Sequence, residues 1–305
     1  MGNIFIYPAP KPSYELVKED PTLLFIGQKA ESANCTSFVC AESRKSSIKI
    51  PCRYIQAQHS TSPYLIIFFH GNSEDIGSNL SYLLSAISER FAMNVLCPEY
   101  PSYGIYKRKD ESLRMDEAIL EDARRVLKFC KDNMRFKYEN IILIGRSLGT
   151  GVATQLACEF NVRGIILISP FTSIRNVAKC LVGNILSKVV PDVFRTIDYI
   201  DQVQCPTLLI HGEQDALIPH SMSEELYAKA TKQKTLRLNK EMTHNQFKIE
   251  RDVFDPIQNF MMEKLDLSSH IWSITADYLA DSYPSFLETH EESNTHDKIK
   301  LEAEC

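Results

Sequence analysis

Three residues of this chain have the types that nucleophilic acyl transfer requires: Ser147, Asp215 and His244, in that order along the sequence. Ser147 lies in "GRSLG", after the apolar run "NIILI" and before "TGVATQLA", whose small and apolar residues read as a helix. Gly-x-Ser-x-Gly at a strand-to-helix turn is a nucleophile-elbow pattern. Its glycines remove side chains that would collide, and the helix aims its N-terminus at the reacting oxygen. A serine hydroxyl is a weak nucleophile alone and needs a base that a carboxylate orients. "LLIHGEQDALIP" supplies Asp215 in the loop after an apolar run, with Glu213 as the competing acid. "NKEMTHNQF" supplies His244 between a last strand and a last helix. Serine, acid and histidine therefore follow one another at three expected strand ends, in the chain order that a nucleophile-elbow triad takes.

Developing negative charge on the substrate oxygen needs fixed donors. "FFHGNSEDIG" turns sharply at His70-Gly71 after another apolar run, so the backbone amides of Asn72 and Ser73, with that of Leu148, are the expected oxyanion hole. His70 precedes the serine and is expected to prop this loop, not to serve as the base. No Gly-Lys-Ser/Thr phosphate loop and no Gly-x-Gly-x-x-Gly fingerprint is present.

The elements that position these residues follow from hydrophobic periodicity. "YLIIFF", "NVLCPEY", "NIILIG", "GIILISP" and "PTLLIHG" are continuous apolar runs expected as strands buried on both faces. Between and after them, residues 78–92, "LRMDEAILEDARRVLKFCKDN", "SLGTGVATQLACEF" and "SMSEELYAKA" carry helical spacing. "KTLRLN" is a last strand, and "DVFDPIQNFMMEKL" a closing helix with Pro256 near its first turn. Alternating strands and helices imply a mostly parallel sheet covered on both faces. "TSFVCAES" and "SSIKIPCRYIQA", split by "RKSS", read as an antiparallel pair at one edge.

Domain organisation is expected as a lead-in over residues 1–33, an α/β domain over 34–265 and an acidic tail over 266–305. From Asp266 onward nine Asp and Glu face two Lys, a net of −7, against +2 for residues 1–265 and −5 for the whole chain. The end of the tail has the composition of a disordered segment. A lid is expected over about residues 171–205, between "ISP" and "CPTLLI". Its Cys180, Leu181, Ile185, Leu186, Val189 and Val190 either face inward to cap the core or line a groove above Ser147.

An acidic balance argues against a nucleic-acid partner. Nine cysteines without a C-x-x-C pair or zinc spacing imply reduced thiols in a cytosolic protein, with no metal and no cofactor. The start lacks the pattern of an export signal. Gly2 raises myristoylation, although Ile6 stands where that motif prefers Ser or Thr.

"FFHGNSEDIG", "PEYPSYG", "NIILIGRSLGTG", "IILISPF", "LLIHGEQDALIP" and "THNQF" together resemble the α/β-hydrolase domain-containing 17 family, over roughly residues 60–265. Members of that family are serine hydrolases that remove palmitate from protein cysteines. The resemblance implies an α/β-hydrolase fold, a triad of Ser147, Asp215 and His244, and an acylated protein as substrate, compatible with peripheral membrane association. Two features depart from the family: residues 1–34 contain no cysteine, and "PEYPSYG" has Pro-Ser in place of Ser-Gly. The readings that follow are a palmitoyl-protein thioesterase, a small-molecule esterase or lipase, a serine aminopeptidase, or a non-catalytic protein using the same cleft for binding.

Overall fold

In the computed structural model, residues 9–14, 20–27, 49–57, 62–108 and 112–271 are described. Eight strands form one sheet: β1 (Leu23–Gly27), β2 (Lys49–Ile55), β3 (Leu65–Phe69), β4 (Asn94–Pro98), β5 (Ile141–Arg146), β6 (Gly164–Ile168), β7 (Thr207–Gly212) and β8 (Lys234–Asn239). Their spatial order is β1-β2-β4-β3-β5-β6-β7-β8. β1 and β2 pair antiparallel, as do β2 and β4; every other pairing is parallel.

The helices are α1 (Ser78–Phe91), α2 (Met115–Asp132), α3 (Leu148–Glu159), α4 (Ile174–Leu186), α5 (Thr196–Tyr199), α6 (Ser221–Lys229), α7 (Asp255–Lys264) and α8 (Ser268–Ile271). Side chains alternate across a strand, so a strand apolar at every position must be covered twice. Ile141 and Leu143 of β5 enter one core with Leu127 of α2 and Val152 of α3. Ile142 and Ile144 enter the opposite core with Leu84 of α1 and Phe260 of α7. β3 divides in the same way, Leu65, Ile67 and Phe69 to the first layer and Ile66 and Phe68 to the second. This double burial anchors the strands whose carboxyl ends carry the candidate residues. The parallel sheet with helices on both faces agrees with the α/β expectation.

Three expectations need correction. First, the strand beside β2 is β1, inside the segment read as a lead-in; Leu23–Gly27 pairs with Lys49–Arg53. "TSFVCAES" lies outside the described residues, as do Gly2 and residues 272–305. Second, packing continues past 265: Leu267 is buried, and His270 Nε2 lies 3.0 Å from both the Ala92 carbonyl and Ser62 Oγ. His270 therefore ties α8 to the loops flanking α1 and β3. Third, Cys180, Leu181, Ile185, Leu186 and Val189 are exposed and Val190 half-buried, so the lid's apolar residues point away from the core. Its first turn is held by Ser173, whose Oγ accepts from the Asn176 amide at 3.2 Å, and by Ile174 and Val177 against the core. α4 then breaks at Gly183 (φ 80°, ψ 173°), and in the turn that follows only Ser187 is buried before the chain returns to the core at Val193 and Phe194.

Candidate active site

The turn from β5 into α3 is tight enough to dictate its residues. A Cβ on Gly149 would lie 2.0 Å from the Phe69 carbonyl oxygen, and one on Gly145 2.4 Å from the Gly149 oxygen. Both positions therefore require glycine. Between them Ser147 adopts φ 50°, ψ −116°, outside the regions that side-chain-bearing residues favour. Such a conformation costs on the order of 1–3 kcal/mol and persists only where the surroundings enforce it. Here the Ser147 amide donates to the Ile168 carbonyl at 2.9 Å, while its carbonyl accepts from the Thr150 amide at 3.0 Å and Thr150 Oγ1 at 2.6 Å.

His244 Nε2 lies 3.2 Å from Ser147 Oγ, and His244 Nδ1 lies 2.7 Å from Asp215 Oδ2. The four oxygen lone-pair directions of Asp215 are heavily used. Oδ1 accepts from the amides of Leu217 at 2.9 Å and Ile218 at 2.8 Å, and Oδ2 faces His211 Nε2 at 3.3 Å as well as His244. Burial opposes ionisation of this carboxyl. The hydrogen bonds from His211, His244 and the Ile218 amide outweigh it and hold Asp215 well below the usual carboxylate range. An ionised Asp215 only accepts, so His244 Nδ1 carries the proton. The lone pair on Nε2 is then free to take the Ser147 hydroxyl proton. Glu213, the competing acid, is exposed on the same loop.

Ser147, Asp215 and His244 are thus brought together from the ends of β5, β7 and β8. Leu148 opens α3, at the helix end whose amides lack intrahelical carbonyls. Asn72 and Ser73 lie in the turn after β3, Ser73 with φ 60°. Beneath that turn is a buried polar cluster. His70 stacks on Tyr100 with ring centroids 4.0 Å apart, and its Nδ1 donates to the Gly71 carbonyl at 2.9 Å. Tyr100 Oη donates to the His70 carbonyl at 2.8 Å, and Tyr103 Oη donates to Asn72 Oδ1. Burial and the nearby Glu99 carboxylate push the Tyr103 phenol up, which keeps that donor protonated. Glu99 is itself buried, 3.2 Å from His70 Nε2, and accepts from Tyr14 Oη at 2.9 Å and the Ile76 amide at 3.2 Å. The expectation that His70 props the loop agrees with this geometry.

Sequence reasoning passed over Arg146, the residue before the serine. Its guanidinium pairs with Glu74 in the loop after β3, and donates to the His244 carbonyl at 3.0 Å and Asn245 Oδ1 at 2.9 Å. One side chain therefore joins the elbow, the Asn72–Ser73 loop and the histidine loop. His211 was also passed over. Its Nε2–H donates to the Ile218 carbonyl at 2.9 Å and its Nδ1 accepts from Ser223 Oγ at 2.5 Å, which fixes the ring against Asp215. The available signal was position: each is a polar residue within or closing an otherwise apolar strand run. Among the described residues, no group of three or more His, Cys, Asp or Glu is placed to hold a metal ion. None of the described helices is long and apolar enough to cross a membrane.

Two family models match the chain. One, described as an alpha/beta hydrolase family, covers residues 66–195, and one described as serine aminopeptidase, S33, covers residues 194–252. The alpha/beta hydrolase domain-containing protein aho-3 of Caenorhabditis elegans is 27% identical over 224 residues, 72% of this chain and 64% of that protein. The human alpha/beta hydrolase domain-containing protein 17C is 25% identical over 71% of this chain and 63% of its own. The chain thus spans less than two thirds of the length of these relatives. Among solved structures, the Pyrococcus furiosus esterase Pf2001 superposes with a TM-score of 0.62 at 16% identity, covering 84% of this chain and 99% of that one. Est1E from Butyrivibrio proteoclasticus superposes with a TM-score of 0.59 at 19% identity, covering 72% and 96%. The chain has the α/β-hydrolase fold, and it resembles the α/β-hydrolase domain-containing 17 proteins.

Proposed function

We propose that this protein is a serine hydrolase that cleaves acyl esters or thioesters through a covalent acyl-enzyme, with S-palmitoylated protein cysteines as its substrate class. The reading is carried by one observation: Ser147 Oγ, both nitrogens of His244 and Asp215 Oδ2 form a continuous chain at 3.2 Å and 2.7 Å. His244 Nε2 accepts the hydroxyl proton as Ser147 Oγ attacks the acyl carbonyl. The amides of Asn72, Ser73 and Leu148 hold the oxyanion. On collapse, His244 returns the proton to the departing alcohol or thiol, and water then repeats the sequence to release the acid. Asp215 keeps the imidazole in the required tautomer and stabilises the imidazolium. No step calls on a metal or a cofactor.

Resemblance to the α/β-hydrolase domain-containing 17 proteins favours a thioester substrate. The serine aminopeptidase match over residues 194–252 favours a second reading, a peptide substrate. Two experiments separate these. Fluorophosphonate labelling of the wild type and of Ser147→Ala reports the nucleophile. Hydrolysis of matched oxygen-ester, thioester and amide substrates of increasing chain length reports the bond. Labelling confined to the wild type, with thioester turnover rising toward long chains, is the expected result. Preferred amide cleavage supports the peptidase reading, and absence of labelling supports a non-catalytic binding protein.

A further inference from the structure

A helix in a soluble protein normally turns its apolar stripe toward the core, because burying large aliphatic side chains stabilises the fold. α4 does the reverse along its second half. Leu181, Val182, Ile185, Leu186 and Val189 are 54%, 49%, 82%, 60% and 84% exposed. A cluster of this kind, within nine residues, marks an interaction surface, whereas apolar residues exposed singly need no explanation. At Gly183 the chain leaves helical geometry, and a Cβ there would meet nothing within 4 Å. Apart from the buried Ser187, the side chains from Leu181 to Val189 are exposed, so the segment presents its aliphatic face outward as a ridge.

The charge of the ridge is also one-sided. Residues 174–191 contain Arg175, Lys179 and Lys188 and no Asp or Glu, in a chain whose net charge is −5. Arg175 is turned back onto the fold, donating to the Val190 carbonyl at 2.9 Å and lying 3.7 Å from Asp192. Lys179, just before the aliphatic cluster, and Lys188, between Leu186 and Val189, are both exposed. Protein–protein contact cores favour aromatic residues, Met and Arg in shape-matched pockets. A purely aliphatic ridge with a lysine rim has neither feature. It matches a fluid hydrocarbon layer beneath anionic headgroups, where apolar area and cationic charge add and no shape complementarity is needed.

We propose that the outward face of α4 and the turn after it dock on an anionic lipid bilayer. The ridge rises from the carboxyl end of β6, and the end of the same insertion packs on the elbow helix, where Phe194 fills the space a Cβ on Gly151 would take. Docking therefore brings the edge of the sheet that carries Ser147 toward the bilayer. On the thioesterase reading proposed above, this delivers the site to acylated proteins at the membrane surface. The docking itself does not require that reading.

The test is co-sedimentation of the full chain with vesicles of phosphatidylcholine alone and of equal parts phosphatidylcholine and phosphatidylserine, at low and high salt. Binding to the mixed vesicles, weakened by salt, is expected. Ile185→Asp with Val189→Asp should reduce it by at least about tenfold, and Lys179→Glu with Lys188→Glu should reduce it to the level wild type shows at high salt. Fluorophosphonate labelling should be unchanged in both double variants, and Ser147→Ala should bind vesicles like wild type. The docking proposal thus stands or falls separately from the hydrolase reading. Failure of the wild type to bind, or binding unaffected by either double variant, overturns it. So does a concentration-dependent dimer lost in Ile185→Asp with Val189→Asp, which would make the ridge a contact between copies.

Discussion

The elbow at Ser147 and the ridge on α4 are both inserted at the carboxyl edge of the sheet, and they are built on opposite plans. At the elbow the backbone itself is closely packed. Glycines are required at 145 and 149, the backbone of Ser147 is forced to φ 50°, and Arg146 ties three loops together. On the ridge the glycine at 183 meets open space, and the aliphatic side chains face outward. The contrast separates what must be fixed for chemistry from what must be free for contact. Acyl transfer tolerates little displacement of the hydroxyl, the imidazole and the oxyanion donors. A surface that meets a fluid layer has no such constraint. Substitutions at the two regions should therefore fail differently, the first in turnover and the second in location.

Ser147→Ala should break the first region most severely, because no other group reaches the position of Oγ. Turnover of an ester or thioester should fall on the order of a million-fold, measured with purified protein and verified by unchanged thermal unfolding. Residual activity of even a few per cent would remove Ser147 from the mechanism.

Asp215→Asn comes next. The amide leaves His244 in place but removes the acceptor that keeps the proton on Nδ1, so turnover should fall on the order of ten-thousand-fold. Glu213→Gln, on the exposed side of the same loop, should leave turnover within about twofold of wild type. A stability signature accompanies it. The folded state holds Asp215 below its ordinary range, so its ionised form stabilises the protein above the unfolded pKa. That contribution should be complete at neutral pH and fade as pH falls from about 4 toward the lower folded value. Urea unfolding of wild type and Asp215→Asn at neutral and acidic pH checks it: the gap should narrow on acidification.

Arg146 sharpens the comparison, because its guanidinium is engaged by Glu74, the His244 carbonyl and Asn245 and so positions other groups. Arg146→Gln removes the ion pair to Glu74 and the reach to the His244 carbonyl. The histidine and oxyanion loops are then no longer held to the same anchor. Turnover should fall up to about a hundred-fold with KM little changed. A purely structural role would instead lower thermal stability and leave kcat of the folded fraction intact.

How far these features were legible in sequence depended on how local their causes were. Ser147 and Asp215 could be read because each follows an apolar run, and His244 because it lies in the loop after the last strand, in the chain order a nucleophile-elbow triad takes. The strand run at β5 was legible because continuous burial demands an unbroken apolar sequence. β1 was not, since Leu23, Leu24 and Gly27 are only half-buried at a sheet edge and a short run there resembles any loop. Arg146 was opaque because its partners, Glu74, His244 and Asn245, come from loops distant in sequence, and the motif leaves its own identity open. On α4 the periodicity marked an apolar face correctly. Periodicity carries no information on what that face meets, and the direction could come only from the packing of Ile174 and Val177.

The smallest expected effect is the most discriminating between the two plans. Ile185→Asp places a charge in an apolar cluster and would be severe in any core. With Ile185 exposed, folding transfers little of its surface from water, and the substitution should change unfolding free energy by no more than about 0.5 kcal/mol. Leu143→Ala is the matched control. Its side chain is fully buried in β5 beneath the elbow, and its loss should cost about 2–5 kcal/mol through lost burial and a cavity. Urea unfolding of the two variants side by side measures both. A loss for Ile185→Asp comparable to that for Leu143→Ala would mean that the ridge is covered in the folded chain, and the contrast between a fixed site and an open surface would collapse. Near-neutral stability, together with lost vesicle binding, would mean that these aliphatic residues serve contact and not folding.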